Sequence, residues 1–138
     1  NGMDYSMRYF NNLYWDKTWN SKWRTITGFD YGLQEKSELS LKKSAWFSPV
    51  LITQYFIHPK WQTAFRTEYY QDKENVIIAA NDEFKTLGFS INLDYLPNSK
   101  VKFRTEARYF KSENDVFEKN SDLVNSNLFL TTNLSFEF

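Results

Sequence analysis

The dominant pattern along the chain is an alternation of period two that recurs in separate segments. Between Phe84 and Leu96 the odd positions are Leu87, Phe89, Ile91, Leu93 and Tyr95, against Gly88, Ser90, Asn92 and Asp94. From Val101 to Phe110, Val101, Phe103, Thr105, Ala107 and Tyr109 oppose Lys102, Arg104, Glu106 and Arg108. Trp61 to Asp72 sets Trp61, Thr63, Phe65, Thr67 and Tyr69 against Gln62, Arg66, Glu68 and Tyr70. Trp19 to Gln34 sets Trp23, Thr25, Thr27, Phe29, Tyr31 and Leu33 against Lys22, Arg24, Asp30 and Gln34. The last segment carries Leu128, Leu130, Thr132, Leu134, Phe136 and Phe138 opposite Thr131, Asn133, Ser135 and Glu137. Successive side chains of a strand point to opposite faces, so each segment reads as a strand with one apolar and one polar face. Met3 to Phe10 is shorter, and Phe47 to Ile57 is apolar on both faces, which leaves its register open. The pattern predicts seven strands and no helix.

The connections alternate in length. Tight turns are predicted near Asp16-Lys17, at His58-Pro59-Lys60 and at Pro97-Asn98-Ser99. Between them lie longer polar links, Glu35 to Ala45, Gln71 to Glu83 and Lys111 to Ser126. Short turns on one rim and long loops on the other is the arrangement of an outer-membrane barrel, with the short turns periplasmic. A Greek-key sandwich has no reason to keep it.

Composition sharpens this picture. Aromatics are 20% of the chain while mean hydropathy is −0.64, too aromatic for disorder and too polar for a helical membrane protein. No apolar run approaches the ~20 residues of a spanning helix. Seventeen basic residues balance 17 acidic ones, so no basic excess marks a nucleic-acid partner. Cysteine is absent, which removes disulfides and thiolate metal sites.

Trp15, Trp19, Trp61, Tyr95 and Phe138 fall beside the predicted periplasmic turns. Tyr31, Trp46, Phe47, Tyr69, Tyr70 and Tyr109 fall near the opposite ends. Trp61 and Tyr69 bracket nine residues, close to the ~9–11 of a tilted spanning strand. Trp15, Trp19, Trp61, Tyr69, Tyr95, Tyr109 and Phe138 are therefore expected as membrane-interface aromatics. A soluble lipocalin-like barrel, or a surface domain binding a ligand or glycan on exposed aromatics, shows the same alternation with the faces reversed.

Candidate chemistry is sparse. His58 is the only histidine and sits beside Pro59 in a turn, with no serine partner in evidence on a neighbouring strand. Asp72, Glu74, Asp82 and Glu83 have the donor type for a hard cation but read as solvated loop acids. No catalytic residue, metal or cofactor is expected. Lys22, Arg24, Asp30, Arg66, Glu68, Asp94, Lys102, Arg104, Glu106 and Arg108 are expected to line the lumen. Turned into hydrocarbon, each basic residue near the midplane would cost about 2–4 kcal/mol. Their mixed signs suit either a water-filled pore or an interior plugged and laced by ion pairs.

Several runs resemble a known family. Gly28-Phe29-Asp30-Tyr31-Gly32, Trp46-Phe47-Ser48-Pro49-Val50-Leu51-Ile52 and Thr67-Glu68-Tyr69-Tyr70-Gln71-Asp72 followed by Val76-Ile77-Ile78 are similar to the OmpL-like β-barrel porins of Bacteroidota. Thr86-Leu87-Gly88-Phe89-Ser90, Asn92-Leu93-Asp94-Tyr95 and Arg104-Thr105-Glu106-Ala107-Arg108-Tyr109 continue the likeness. It runs from about Thr25 to the end. It implies an all-β, antiparallel up-and-down transmembrane barrel and passive passage of small polar solutes or ions, and it brings no catalytic residues. A structural role in an outer-membrane assembly is the alternative.

Residues 1–138 are expected to be the C-terminal part of one Gram-negative outer-membrane barrel domain. The opening residues read as strand and not as a signal peptide. Seven strands leave two bare edges, so further N-terminal strands or a partner are expected to close the wall. The remaining partners expected are membrane lipid or lipopolysaccharide. The terminal aromatic Phe138 resembles the signal by which barrels reach the insertion machinery.

Overall fold

The computed structural model describes residues 7–37, 40–80 and 82–138, and all statements below refer to these. Nine strands are present: β1 (Arg8–Thr18), β2 (Trp23–Ser37), β3 (Ser40–His58), β4 (Trp61–Asp72), β5 (Phe84–Asn98), β6 (Val101–Ser112), β7 (Phe117–Lys119), β8 (Asp122–Val124) and β9 (Ser126–Phe136). Seven form one sheet in the order β1-β2-β3-β4-β5-β6-β9, every pair antiparallel, while β7 and β8 make a separate small hairpin. Among the described residues there is no helix. The seven-stranded meander expected from the alternation is the observed fold.

Several boundaries differ from the expectation. Asp16 and Lys17 are not a turn; β1 runs through them to Thr18, and the reversal lies at residues 19–22. There Asn20 Oδ1 accepts from the backbone N–H groups of Lys22 and Trp23. This side-chain turn is what an Asn supplies in place of a glycine. Lys22 accordingly sits in the turn and not on a strand. The link Glu35–Ala45 is largely strand, since Glu35 pairs with Lys43 and Ser37 with Ser40. The link Lys111–Ser126 contains the β7–β8 hairpin, turned by Asn120 and Ser121 with φ of 52° and 72°. Two consecutive positive φ values are the mark of the tight turn whose twist suits a two-residue hairpin. Pro97 lies inside β5, at a register irregularity between Tyr95 and Asn98, where a missing N–H is tolerated. The predicted start of strand one at Met3 lies outside the described residues.

The β2–β3, β4–β5 and β6–β9 connections share one rim and the turns at residues 19–22, 59–60 and 99–100 share the other, as strand alternation requires; of the first three, the β4–β5 and β6–β9 connections are the long ones. Register puts the even-numbered residues of β1–β6 and the odd-numbered ones of β9 on one face. On the central strands β2–β6 that face is sheltered, although no second sheet covers it, while on the edge strands β1 and β9 it is exposed. A recess of about 210 Å³ on it is lined from Arg24 on β2 to Arg104 on β6. Four strand spacings would separate these residues by roughly 19 Å in a flat sheet, so the sheet curls around this face.

The molecule is inside-out relative to a soluble domain. The two most buried side chains are carboxylates, Asp72 and Asp94 at 0% exposure, and Trp46 at 9% is the buried apolar residue. The outer face leaves Phe65, Leu87, Phe89, Ile91 and Leu93 exposed, Ile91 at 56%. A solvent other than water has to meet that wall.

Candidate lumen-facing site

On the inner face the strongest arrangement centres on Asp94. It stands opposite Arg104 in the β5–β6 register. Arg104 donates from Nε to Oδ1 and from Nη2 to Oδ2, each at 2.7 Å. Gln62 Nε2 donates to Oδ2 at 2.9 Å and Asn92 Nδ2 to Oδ1 at 2.8 Å. Gln62 in turn accepts from Gln54 Nε2 at 3.2 Å. Removing a carboxylate from water costs several kcal/mol unless its lone pairs are met, and here four donors meet them.

The other arginines of the recess are paired as well. Arg66 donates to Glu68, its neighbour two residues along β4 on the same face. Arg108 reaches Glu106 in the same way on β6, at 3.1 Å from Nε and 3.0 Å from Nη2. Arg24 forks onto Asp16 across β1 and β2. Four arginines and four carboxylates therefore neutralise each other pair by pair along one wall.

Of the remaining expected lumen residues, Asp30 is on the inner face and accepts from Asn12 Nδ2. Lys102 is on the same face near the short-turn rim, opposite Ser135. Lys22 is displaced to the turn, where its carbonyl accepts from the Phe56 N–H at 2.9 Å. The structure thus brings Arg24, Arg66, Arg104, Glu106 and Arg108 around one recess, with Glu68 and Asp94 paired to its arginines, and leaves Lys22 out.

The expected interface aromatics lie on the outer face or just beyond it. Trp61 packs on Tyr95 with ring centroids 4.6 Å apart, and Tyr95 on Phe103 at 6.4 Å, beside the short-turn rim. Trp15 meets Trp19 edge-on at 6.0 Å, Trp19 being in the turn. Towards the loop rim Tyr69 packs on Phe47 at 5.9 Å, and Tyr109 stands opposite Phe89. Phe138 lies beyond the end of β9 and is fully exposed. Trp46, read from the sequence as an interface residue, is instead on the inner face, where it stacks at 6.2 Å on Tyr70, which the alternation sets opposite Trp61 and Tyr69. The even number of Trp46 carried that information.

Apart from Tyr70, the inner aromatic arc has no counterpart in the sequence reading. Phe10 stacks on Trp46 at 5.4 Å, Tyr70 meets Phe84, and Phe117 of the small hairpin lies between Phe84 and Phe110. Phe110 in turn reaches Phe129. Gly88 makes room for Phe110, since a Cβ there would come within 2.7 Å of the ring.

The acids of the β4–β5 connection do not gather around a cation. Asp72 accepts from the backbone N–H groups of Val76, Ile77 and Ile78 at 3.0, 2.7 and 3.1 Å, folding the loop back onto the inner rim. Glu83 pairs with Lys85 at 2.8 Å, and Lys85 with Glu113 at 2.9 Å. The Lys85 hydrogen bond holds the Glu83 carboxyl below its usual range. His58 closes β3, its Nδ1 accepting from the Lys60 N–H in the turn.

A curled antiparallel meander, girdled by aromatics outside and lined by paired charges inside, is the wall of a porin-type transmembrane β-barrel. The chain belongs to the family described as Putative beta-barrel porin-2, OmpL-like, which matches residues 1–138. No curated protein and no solved structure matches it.

Proposed function

We propose that this chain forms part of the wall of an outer-membrane barrel through which small polar solutes or ions pass passively. The observation that carries the reading is the contrast of the two faces: apolar and girdled outside, polar and charge-paired inside. Lipid, and lipopolysaccharide in the outer leaflet, are the natural partners of the outer face. On this reading the short turns are periplasmic and the loops extracellular.

Because each arginine of the recess has its own carboxylate, the wall presents charge of both signs and little net field. Weak selectivity between small anions and cations follows. The edges of β1 and β9 are unpaired within the seven-stranded sheet, and bare backbone in hydrocarbon costs several kcal/mol per group. On this reading further strands or a second chain cover them, which also suits a structural role in a larger assembly.

Planar-bilayer recording on the full-length protein tests the proposal. Discrete conductance steps with a reversal potential near zero in a salt gradient are expected. A silent protein, inserted but impermeable, would leave the structural role and remove the pore.

A further inference from the structure

Above the charged recess the inner face carries a second, chemically different cavity of about 280 Å³. Its walls are the rings of Tyr70, Phe84, Phe110 and Phe117. Phe110 and Phe117 are nearly parallel, at 25°, while Phe84 stands edge-on to both Tyr70 and Phe117. Ile78 enters from the β4–β5 loop, fixed by its N–H bond to Asp72. Phe117 comes from the β7–β8 hairpin, so two loops and the barrel wall build the cavity together.

The polar atoms distinguish it from a small apolar core. Thr86 is 5% exposed and directly opposite Tyr70 across β4 and β5. Thr86 Oγ1 and the Tyr70 hydroxyl are both buried, and neither has a hydrogen-bond partner among the described residues. Burying an unmet hydroxyl costs about 1–3 kcal/mol, and apolar side chains of the same shape would avoid it. Glu68 and Ser48 add acceptors at the margin, Glu68 already holding Arg66 of the recess below.

We propose that this cavity is a subsite for one ring of a neutral saccharide at the extracellular mouth. The assignment rests on the porin reading and names a solute class for it. A pyranose offers apolar C–H faces to the aromatic rings and hydroxyl groups to Thr86, Tyr70 and Glu68. A hydrocarbon chain would leave both hydroxyls unmet. An anion would find no cation among the lining residues, and a cation only the Glu68 carboxylate, which is already paired.

The test is current recording on the full-length protein with maltotetraose or cellotetraose added, and sorbitol as the open-chain control. Saturable, reversible interruptions are expected with at least one sugar and not with sorbitol. Tyr70→Phe and Thr86→Val should each weaken half-saturation by about fivefold. Phe117→Ala, which leaves the barrel wall intact, should weaken it by about tenfold. Leu123→Ala, exposed on β8, should change nothing.

A conducting channel that neither sugar interrupts overturns the subsite and leaves the porin standing. So do interruptions indifferent to all three cavity variants. If no channel forms, a sugar titration in detergent is read by the part of the tryptophan fluorescence that Trp46→Phe abolishes. A saturable change there keeps the subsite without the pore, and no change overturns it.

Discussion

Gly32 stands directly opposite Trp46 across β2 and β3, and a Cβ on Gly32 would lie 2.2 Å from the indole. The indole cannot simply turn away, because it is stacked between Phe10 at 5.4 Å and Tyr70 at 6.2 Å. Here a glycine in a central strand serves close packing, not a bend.

Gly32→Ala should therefore destabilise the folded barrel by roughly 1–3 kcal/mol, the usual cost of overpacking. The midpoint of urea unfolding in lipid vesicles would show it. Gly32→Ala combined with Trp46→Leu should recover most of the loss, because the smaller side chain clears the clash. Failure of that rescue would place the cause elsewhere.

Asp94→Asn tests the charge pairing. Arg104 would lose a bidentate carboxylate, and stability should fall by roughly 2–3 kcal/mol. The wall would also gain one uncompensated positive charge, so the reversal potential in a salt gradient should shift towards anion preference. An unchanged reversal potential would mean that this pair does not face the conduction path.

Asp72 anchors the β4–β5 loop through three backbone N–H groups. Asp72→Ala removes charge-assisted bonds worth about 1.5–3 kcal/mol to loop closure. Proteolysis that follows the open population should then accelerate at residues 73–83 by at least about tenfold. Cleavage mapped by mass spectrometry on intact membranes gives the answer.

Lys85 ties the β4–β5 connection, through Glu83, to Glu113 of the β6–β9 connection. The Glu83 carboxyl is depressed, so its contribution is fully present above the ordinary glutamate range near ~4.3 and disappears as pH falls through the lowered value. The two loops should separate only in acid, and more readily in high salt. With no native cysteine in the chain, spin labels on single introduced cysteines at Lys73 and Asp115 report the distance cleanly.

The architecture was legible because lipid and lumen impose a strict period of two, and β5 and β6 carry it without interruption. The turn at residues 19–22 was misplaced because Asn20 makes it with a side chain, and no Gly or Pro marks it. The β7–β8 hairpin is three residues per strand, too short for alternation to register, and its Asn120-Ser121 turn lacks the usual glycine. The inner aromatic arc was hidden for another reason. Phe10, Trp46 and Phe110 are hydrophobic, so they merge with the outer-face signal unless parity is followed through each register. Arg24 and Arg104 were both read as inward-facing, but their shared recess depends on curvature, which no local pattern encodes.

The face assignment itself can be tested with tryptophan. Trp61 lies outside at the short-turn girdle and is exposed, while Trp46 is inside and buried. In vesicles of brominated phospholipid, a variant retaining only Trp61 should be strongly quenched. A variant retaining only Trp46 should be nearly unaffected, because the sheet stands between its indole and the acyl chains. Both variants replace the other tryptophans by Phe, which keeps an aromatic ring at each girdle position and limits the loss of interfacial anchoring. Aqueous acrylamide supplies the control: access to Trp46 should follow the state of the loops and rise when Asp72→Ala releases one of them. Quenching of Trp46 by lipid with Trp61 spared would reverse the faces. The paired arginines would then be turned towards hydrocarbon, a position whose cost of about 2–4 kcal/mol for each basic residue argues strongly against it.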